Sequence, residues 1–310
     1  MQGLELSRRY FEAYGIPLLE NDFAAEKTRV AAGLAGLGSE CFGYDDDLSH
    51  DHDFEAGFCF WLTDEADAEF GFRLMRAYNK LPREFLGVKM QQHSIYGNSR
   101  VGVFRISDFY RTLTGIPRAP ETNEEWLYTP EYALANASNG AVFYDGAGAF
   151  SAIRATLLQG YPEDVRRKKI AAALSLAAQS GQYNFSRCLR HSEPGAAALA
   201  RNEFVTHALH LLFLLARRYS PFYKWQFRAA RETGMLPQVP ERLLSLLQSP
   251  ADENAAEEME QIASQIIGEL VRQGLCARKA GENYLEPYAF AVQDSISDRK
   301  LRAMHVMEGV

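Results

Sequence analysis

The sequence predicts an α+β protein, with a small mixed-sheet α/β domain over residues 1–116 followed by an all-helical domain over residues 117–310. Three observations predict it. Short apolar runs alternate with helix-spaced segments in the first part of the chain. Beyond Pro117, helical spacing dominates and strand signals nearly vanish. Between the two lies Pro117-Arg118-Ala119-Pro120, whose prolines bar a continuing helix and favour extended chain before them. A chain of 310 residues suits two domains that each bury a core of their own.

In order along the first domain, Leu4–Glu20 carries Leu6, Tyr10, Phe11 and Tyr14 at helical spacing, and Val30–Leu37 is an apolar run ending at glycine, a strand. Phe54–Leu62 is a second, aromatic strand, and Thr63-Asp64 caps a helix through Tyr78. Arg100–Ile106 reads as a third strand, with Ser107-Asp108 capping a short helix that Gly115 and Pro117 terminate. In the second domain, Glu124–Ala135, Ser151–Gln159, Glu163–Gln179, Gly195–Tyr219, Pro240–Leu247 and Asp252–Gln273 read as helices. Leu209, Leu211, Leu212, Phe213, Leu214 and Leu215 make a stretch apolar nearly all round, which predicts a central bundle helix, and Met259, Ile262, Ile266, Ile267, Leu270 and Val271 form the stripe of a docked one.

A net charge of -7 argues against general binding to duplex nucleic acid, which needs a basic surface to displace counterions. No apolar run reaches the length of a membrane helix and the first residues hold no signal-peptide core, so the expectation is a cytoplasmic protein with no membrane partner. Cys41, Cys59, Cys188 and Cys276 are scattered, with no Cys-x-x-Cys pair, and read as reduced, mostly buried thiols.

The chemistry concentrates between Leu37 and Phe54. If Asp51 and Asp53 open a strand, period-two alternation sets both carboxylates on one face, where they can share a divalent metal, while His50 and His52 face the other way. Mg²⁺, or Mn²⁺, suits such a pair, since a hard cation takes a few carboxylate oxygens and completes its shell with water and substrate phosphates. Gly38-Ser39, at a strand end, offers backbone N–H groups and a hydroxyl to phosphate, and the glycine permits close approach. A zinc site built from His50, His52 and an aspartate, or a His-Asp phosphohydrolase, is the competing reading. Alternation splits the first across two faces, and the second lacks further ligands on helices.

The pattern Leu37-Gly38-Ser39, a spacer, then Asp51-His52-Asp53 resembles the signature of the nucleotidyltransferase superfamily. Gly38–Gly43, Asp51–Phe54 and Gly57–Leu62 resemble more closely a little-characterised bacterial family in which this head precedes a helical domain of unknown function. The likeness continues through Asn139-Gly140, Tyr161-Pro162, Gly181–Asn184 and Pro221–Trp225, spanning roughly residues 5 to 230. The layout is also similar to that of aminoglycoside nucleotidyltransferases, an architectural likeness that names no substrate. The resemblance implies a nucleotidyltransferase-like head. In it Asp51 and Asp53 are catalytic and bind metal, Gly38 and Ser39 bind a nucleoside triphosphate, and an NMP group passes to an unidentified hydroxyl or amine acceptor. It also expects a third carboxylate on a later strand. Arg100–Ile106 contains none, and Asp108, just beyond, is the nearest candidate.

The second domain adds cations. Arg166-Arg167-Lys168-Lys169 reads as a largely solvent-facing basic run. Lys224, between Tyr223 and Trp225, and Arg187, in the polar run Gly181–Arg187, are the candidates for binding the nucleotide. Glu163, Asp164 and Glu203 are candidate general bases. The alternative function is a non-catalytic nucleotide-binding or scaffold protein that keeps the fold.

Overall fold

The computed structural model describes residues 1–46, 55–89, 100–279 and 281–309. The chain is α+β and forms two compact units: Met1–Pro120 with Ala133–Gln159, and Glu121–Tyr132 with Gly160–Val310.

The first unit is built on a four-stranded mixed sheet in the order β5-β2-β1-β6. Strand β1 (Val30–Leu34) runs antiparallel to β2 (Cys59–Leu62), and β2 runs parallel to β5 (Gly102–Arg105). A short ladder, β3 (Glu84–Phe85) with β4 (Val88–Lys89), lies between them in sequence. The fourth strand, β6 (Ala141–Asp145), pairs antiparallel with β1. Its position corrects the expectation that strands end before Pro117. Five residues between Asn139-Gly140 and Gly146 are too few to stand out among helical segments by periodicity.

Alternation assigns the two faces. Val30, Ala32, Phe58, Phe60 and Leu62 pack under the helices on one face, with Leu6, Tyr10, Phe11, Leu74 and Tyr78. Leu6 and Tyr10 come from α1 (Gly3–Tyr10), Phe11 from the turn that follows it, and Leu74 and Tyr78 from α4 (Phe72–Tyr78), while α2 (Ile16–Asp22) adds Leu19 and α3 (Asp64–Ala66) adds Ala66. On the other face Trp61 stacks on Phe150 at 3.9 Å and meets Phe109 edge-on at 5.4 Å. Those rings belong to α5 (Ile106–Thr114) and α8 (Ala149–Leu158), and the Asp145 carboxylate accepts the Gly148 and Ser151 N–H groups at 2.8 Å to fix the start of α8. Helix α5 starts one turn earlier than its Ser107-Asp108 signal suggests, so Asp108 falls in its first turn, and it stops at Gly115 as expected.

The helices are not uniformly α. A π turn at Phe11–Gly15 joins α1 to α2, and another at Asp67–Gly71 joins α3 to α4. A third, Ala178–Phe185, links α9 (Glu163–Ala177) to α10 (Ser186–Arg190). Each contains a glycine, and that in the third sits against the ring of Phe204.

The second unit begins with α6 (Asn123–Tyr128), held by a Thr122/Glu125 capping box. The helix expected over Glu124–Ala135 is two, because Pro130 stops α6 and α7 (Glu131–Ser138) starts after it, carrying the chain back into the first unit. Helix α9 packs against α11 (Pro194–Leu215) and α15 (Glu286–Asp294). The rest are α12 (Tyr223–Thr233), α13 (Val239–Gln248), α14 (Glu253–Arg272) and α16 (Arg299–Ala303). Leu209 and Leu211–Leu215 are buried, as are Met259, Ile262, Ile266, Ile267 and Leu270 on α14, in agreement with their patterns.

The basic run on α9 is a correction. Arg166, Lys168 and Lys169 are buried. Arg166 donates to the Leu214 carbonyl at 3.2 Å, Lys168 to the carbonyls of His305 and Val306 at 2.7 and 3.0 Å, and Lys169 to that of Gly309 at 2.9 Å. Long side chains that satisfy carbonyls left open at helix ends and in turns hold the bundle together and leave little charge for a ligand. Burial pushes the Lys168 ammonium down to about 8.

Gly140 is the position where backbone geometry binds most tightly. Its φ is +65°, and a Cβ there would overlap the Leu34 carbonyl and lie 2.8 Å from Ala35 Cα. Gly140→Ala is expected to lower stability by at least about 1 kcal/mol, since both strain and overlap act. Urea unfolding of the two proteins measures it, and an unchanged midpoint would refute the assignment.

Candidate functional site

Four chain segments meet at one end of the sheet of the first unit. Gly33 lies opposite Cys59 and Leu34 opposite Ala141, while Cys59 pairs with Gly102 in the parallel ladder. The chain leaving β1, and the chain entering β2, β5 and β6, therefore share that end. They bring together the Leu37-Gly38-Ser39 turn, Glu55–Phe58, Arg100-Val101 and Asn139-Gly140.

The Gly38 turn is shaped by what packs on it. Gly38 has φ +120° and ψ 145°, and a Cβ on it would fall on the Arg100 guanidinium and 2.6 Å from both Glu40 carboxylate oxygens. The positive φ is what requires a glycine there, since the flexible ends of both side chains can move aside. Ser39 opens a 3₁₀ turn, Ser39–Phe42, closed by the Tyr44 N–H donating to the Ser39 carbonyl at 2.9 Å. Arg100 Nη1 donates to the Leu37 carbonyl at 3.1 Å and pairs with Glu40 Oε1 at 2.8 Å. Glu40 is buried, and burial pushes its carboxyl up while Arg100 draws it partway back. The next loop is held from another side. Asn139 accepts the Gly36 N–H and donates to the Gly36 carbonyl, both at 2.8 Å, and Arg154 donates to the Asn139 and Gly140 carbonyls at 3.2 and 3.0 Å. Asp45 Oδ2 accepts the Gly3 N–H at 2.7 Å, while Oδ1 is buried with no hydrogen-bond partner among the described residues.

The meeting of Arg100 with Glu40, and the clip made by Asn139, were not legible in the sequence. Arg100 lies 60 positions after Glu40 in the sequence, and only the parallel β2–β5 pairing makes them neighbours. Cys41 and Cys59 are buried here, and burial pushes both thiols far up, so they are inert. Cys188 and Cys276 are partly exposed, and all four are free.

Asp51 and Asp53, with His50 and His52, lie outside the described residues. Among the described residues no group of three His, Cys, Asp or Glu side chains is disposed to hold a metal ion. The described residues alone do not make a metal centre. Asp108 is half-buried on α5, with Oδ2 accepting from Arg105 at 2.7 Å and Oδ1 from Arg111 at 2.9 Å.

In the second unit, Lys224 is exposed on α12, 4.9 Å from the centre of the Trp225 ring, and Arg187 is exposed on α10, 5.1 Å from that of Tyr183. Each covers an aromatic face. The rest of the Gly181–Arg187 run is partly structural. Gln182 donates to Glu260 and to the Asn283 carbonyl and accepts the Leu285 N–H. Of the candidate bases, burial raises Glu163, but Arg166, Arg167 and Arg217 hold it down to about 2, a poor proton acceptor. Asp164 accepts the Ser297 and Asp298 N–H groups, and Glu203 pairs with His207 at 3.4 Å.

Residues 126–226 match the model of a family described as a domain of unknown function, DUF4037. No curated protein matches the chain. Among solved structures the chain is similar to the crystal structure of a nucleotidyltransferase-like protein from Exiguobacterium sibiricum 255-15, at 12% identity over 92% of this chain and 80% of that one, with a TM-score of 0.37. No helix among the described residues is long and apolar enough to cross a membrane.

The Arg100–Glu40 pair gives a test with a sign. Arg100→Met leaves Glu40 buried beside no cation among the described residues, at a cost of about 3 kcal/mol at neutral pH. The Glu40 folded-state pKa is already raised and rises further in the variant. The stability deficit is therefore smallest below the unfolded carboxyl range and grows as pH climbs through it to the folded value. Urea unfolding of variant and wild type between pH 4 and 7 measures the difference. A deficit independent of pH would remove Glu40 as its cause.

Proposed function

We propose that the first unit is a nucleotidyltransferase head that moves an NMP group from a nucleoside triphosphate to a hydroxyl or amine acceptor. The single observation behind the reading is the sheet topology. It gathers the Gly38-Ser39 turn and the chain entering β2 at one end of the sheet, and that chain follows Asp51-His52-Asp53 in sequence. In this reading Gly38 and Ser39 hold the phosphates through backbone N–H groups and the Ser39 hydroxyl, and the Arg100 guanidinium beside them adds positive charge. Asp51 and Asp53 hold Mg²⁺ or Mn²⁺, which when bound supplies charge neutralisation for the departing pyrophosphate. The acceptor oxygen or nitrogen bonds to the α-phosphorus, the bond from that phosphorus to the bridging oxygen breaks, and pyrophosphate leaves. The acceptor's proton goes to a base that none of Glu163, Asp164 and Glu203 is well placed by its partners to be. In the second unit Lys224 and Arg187 are the candidates for nucleotide binding, and the protein works in the cytoplasm.

One observation favours a second reading, a nucleotide-binding protein without turnover. Strand β5 carries no acid, and both oxygens of Asp108 are engaged by arginines. Calorimetric titration of ATP, GTP, CTP and UTP with Mg²⁺ is expected to show binding to the wild type and none to the Asp51→Ala, Asp53→Ala double variant. Ser39→Ala is expected to bind about tenfold more weakly, the scale of one hydrogen bond to a charged group. Pyrophosphate release over an acceptor panel then separates the readings, since turnover lost in the double variant supports transfer. Binding with no turnover supports the second reading, and metal-dependent binding untouched by both substitutions sinks both.

A further inference from the structure

The second unit contains a cavity of about 400 Å³ that the transfer reading does not use, a volume typical of small-molecule sites. Its charged and imidazole lining is Glu131 at the start of α7, Lys169 on α9 and His210 on α11, with Thr129, Ser220 and Gln226 as neutral polar groups beside them. Tyr132, Phe222 and Tyr223 also line it and remain 49%, 51% and 73% exposed. The Tyr132 and Phe222 rings lie 6.3 Å apart, nearly perpendicular, and Phe222 and Tyr223 are 4.3 Å apart. Such a cluster of exposed rings is costly to leave in water and offers flat apolar faces.

The polar residues define what would lie against those faces. Glu131 Oε1 is buried and has no hydrogen-bond partner among the described residues. A buried acceptor without a donor is unfavourable, so an occupant that brings a donor is favoured. Lys169 is not a free cation for an anionic ligand: its Nζ donates to the Gly309 carbonyl at 2.9 Å and lies 5.3 Å from the centre of the Tyr161 ring. Burial pushes Glu131 up to about 7, with Lys169 drawing it down, and burial and Lys169 together push His210 down to about 4, so the imidazole is neutral. A cationic ligand meets the Lys169 ammonium, and an anionic one meets the Glu131 carboxylate. The lining selects an uncharged molecule with N–H donors on one edge and π faces for the rings.

We propose that this cavity binds a flat, uncharged nitrogen heterocycle that presents adjacent N–H donors to Glu131, the edge that a guanine base carries. Two carboxylate oxygens accept from two neighbouring N–H groups, and Tyr132, Phe222 and Tyr223 cover the ring. The inference is independent of the transfer reading, because it involves neither phosphate nor metal.

The test is calorimetric titration of the full chain with guanosine in EDTA, where a phosphate- and metal-dependent site is silent. Guanosine is expected to bind, and 1-methylguanosine, which lacks one of the two donors, to bind at least about tenfold more weakly. Glu131→Gln replaces an acceptor oxygen with a donor and is expected to weaken guanosine by a similar factor with little change in Tm, and Tyr223→Ala to weaken both nucleosides. The methylated ligand probes the wild type, so the result does not depend on any variant folding. Equal affinity for the two nucleosides, guanosine binding unaffected by Glu131→Gln, preference for glucosamine, or no guanosine binding at millimolar concentration would each overturn the proposal.

Discussion

Strand β1 is buried over its whole length and hydrogen-bonded on both sides, and this burial is the constraint from which the first unit follows. A strand of Val-Ala-Ala-Gly-Leu has little side-chain bulk, so it is covered only if larger groups come from its neighbours and from the helices. Phe60 and Leu62 supply them on one face and Trp61, backed by Phe150, on the other. Because both neighbours of β1 run antiparallel to it, the chain must leave β1 where it enters β2 and β6, and the parallel β5 enters there too. The close approach of Arg100 to the Gly38 turn, and of the Leu34 and Ala35 backbone to Gly140, is a consequence of that topology.

Much of this was legible. Three strands, the helix through Tyr78 and the stop at Gly115 carry signals that depend only on residues close in sequence, such as alternation, a Thr63 cap and a left-handed glycine. Of the strands not read, β6 shows the limit. Ala-Val-Phe-Tyr-Asp has β-forming residues between turn signals, but its reason for being a strand is the vacant side of β1, more than 100 positions away in the sequence. The candidate site divides in the same way. Gly38-Ser39 could be read because its demands are local. The pairing of Glu40 with Arg100 and the clip between Asn139 and Gly36 could not, since each joins segments that only the sheet brings together.

Charge was harder to read than hydrophobicity. Four basic residues in a row look like a solvated face, yet α9 lies between α11 and α15 with little exposed surface to offer. Their long stems cross the packed layer and deliver donors to carbonyls that no helix satisfies. Asp108 and Glu163 were read as free acids for the mirror reason, the arginines that occupy them being one helical turn away. One-turn spacing is visible in the sequence, and it favours a satisfied surface pair over a reactive carboxylate.

The π turns change what insertion and deletion mean for these helices. Each turn accommodates residues beyond the 3.6 per turn of a regular helix, so the apolar stripe before it and the stripe after it are out of phase by the standard count while facing the same core. Removing one residue from Ala178–Phe185 and letting it close as regular helix would change the phase between α9 and α10, with one residue corresponding to about 100° of rotation about the axis. Length differences among related chains at these places are therefore to be counted as changes of helical phase, and an alignment that treats them as loop gaps would mispair every residue from there to the end of the helix.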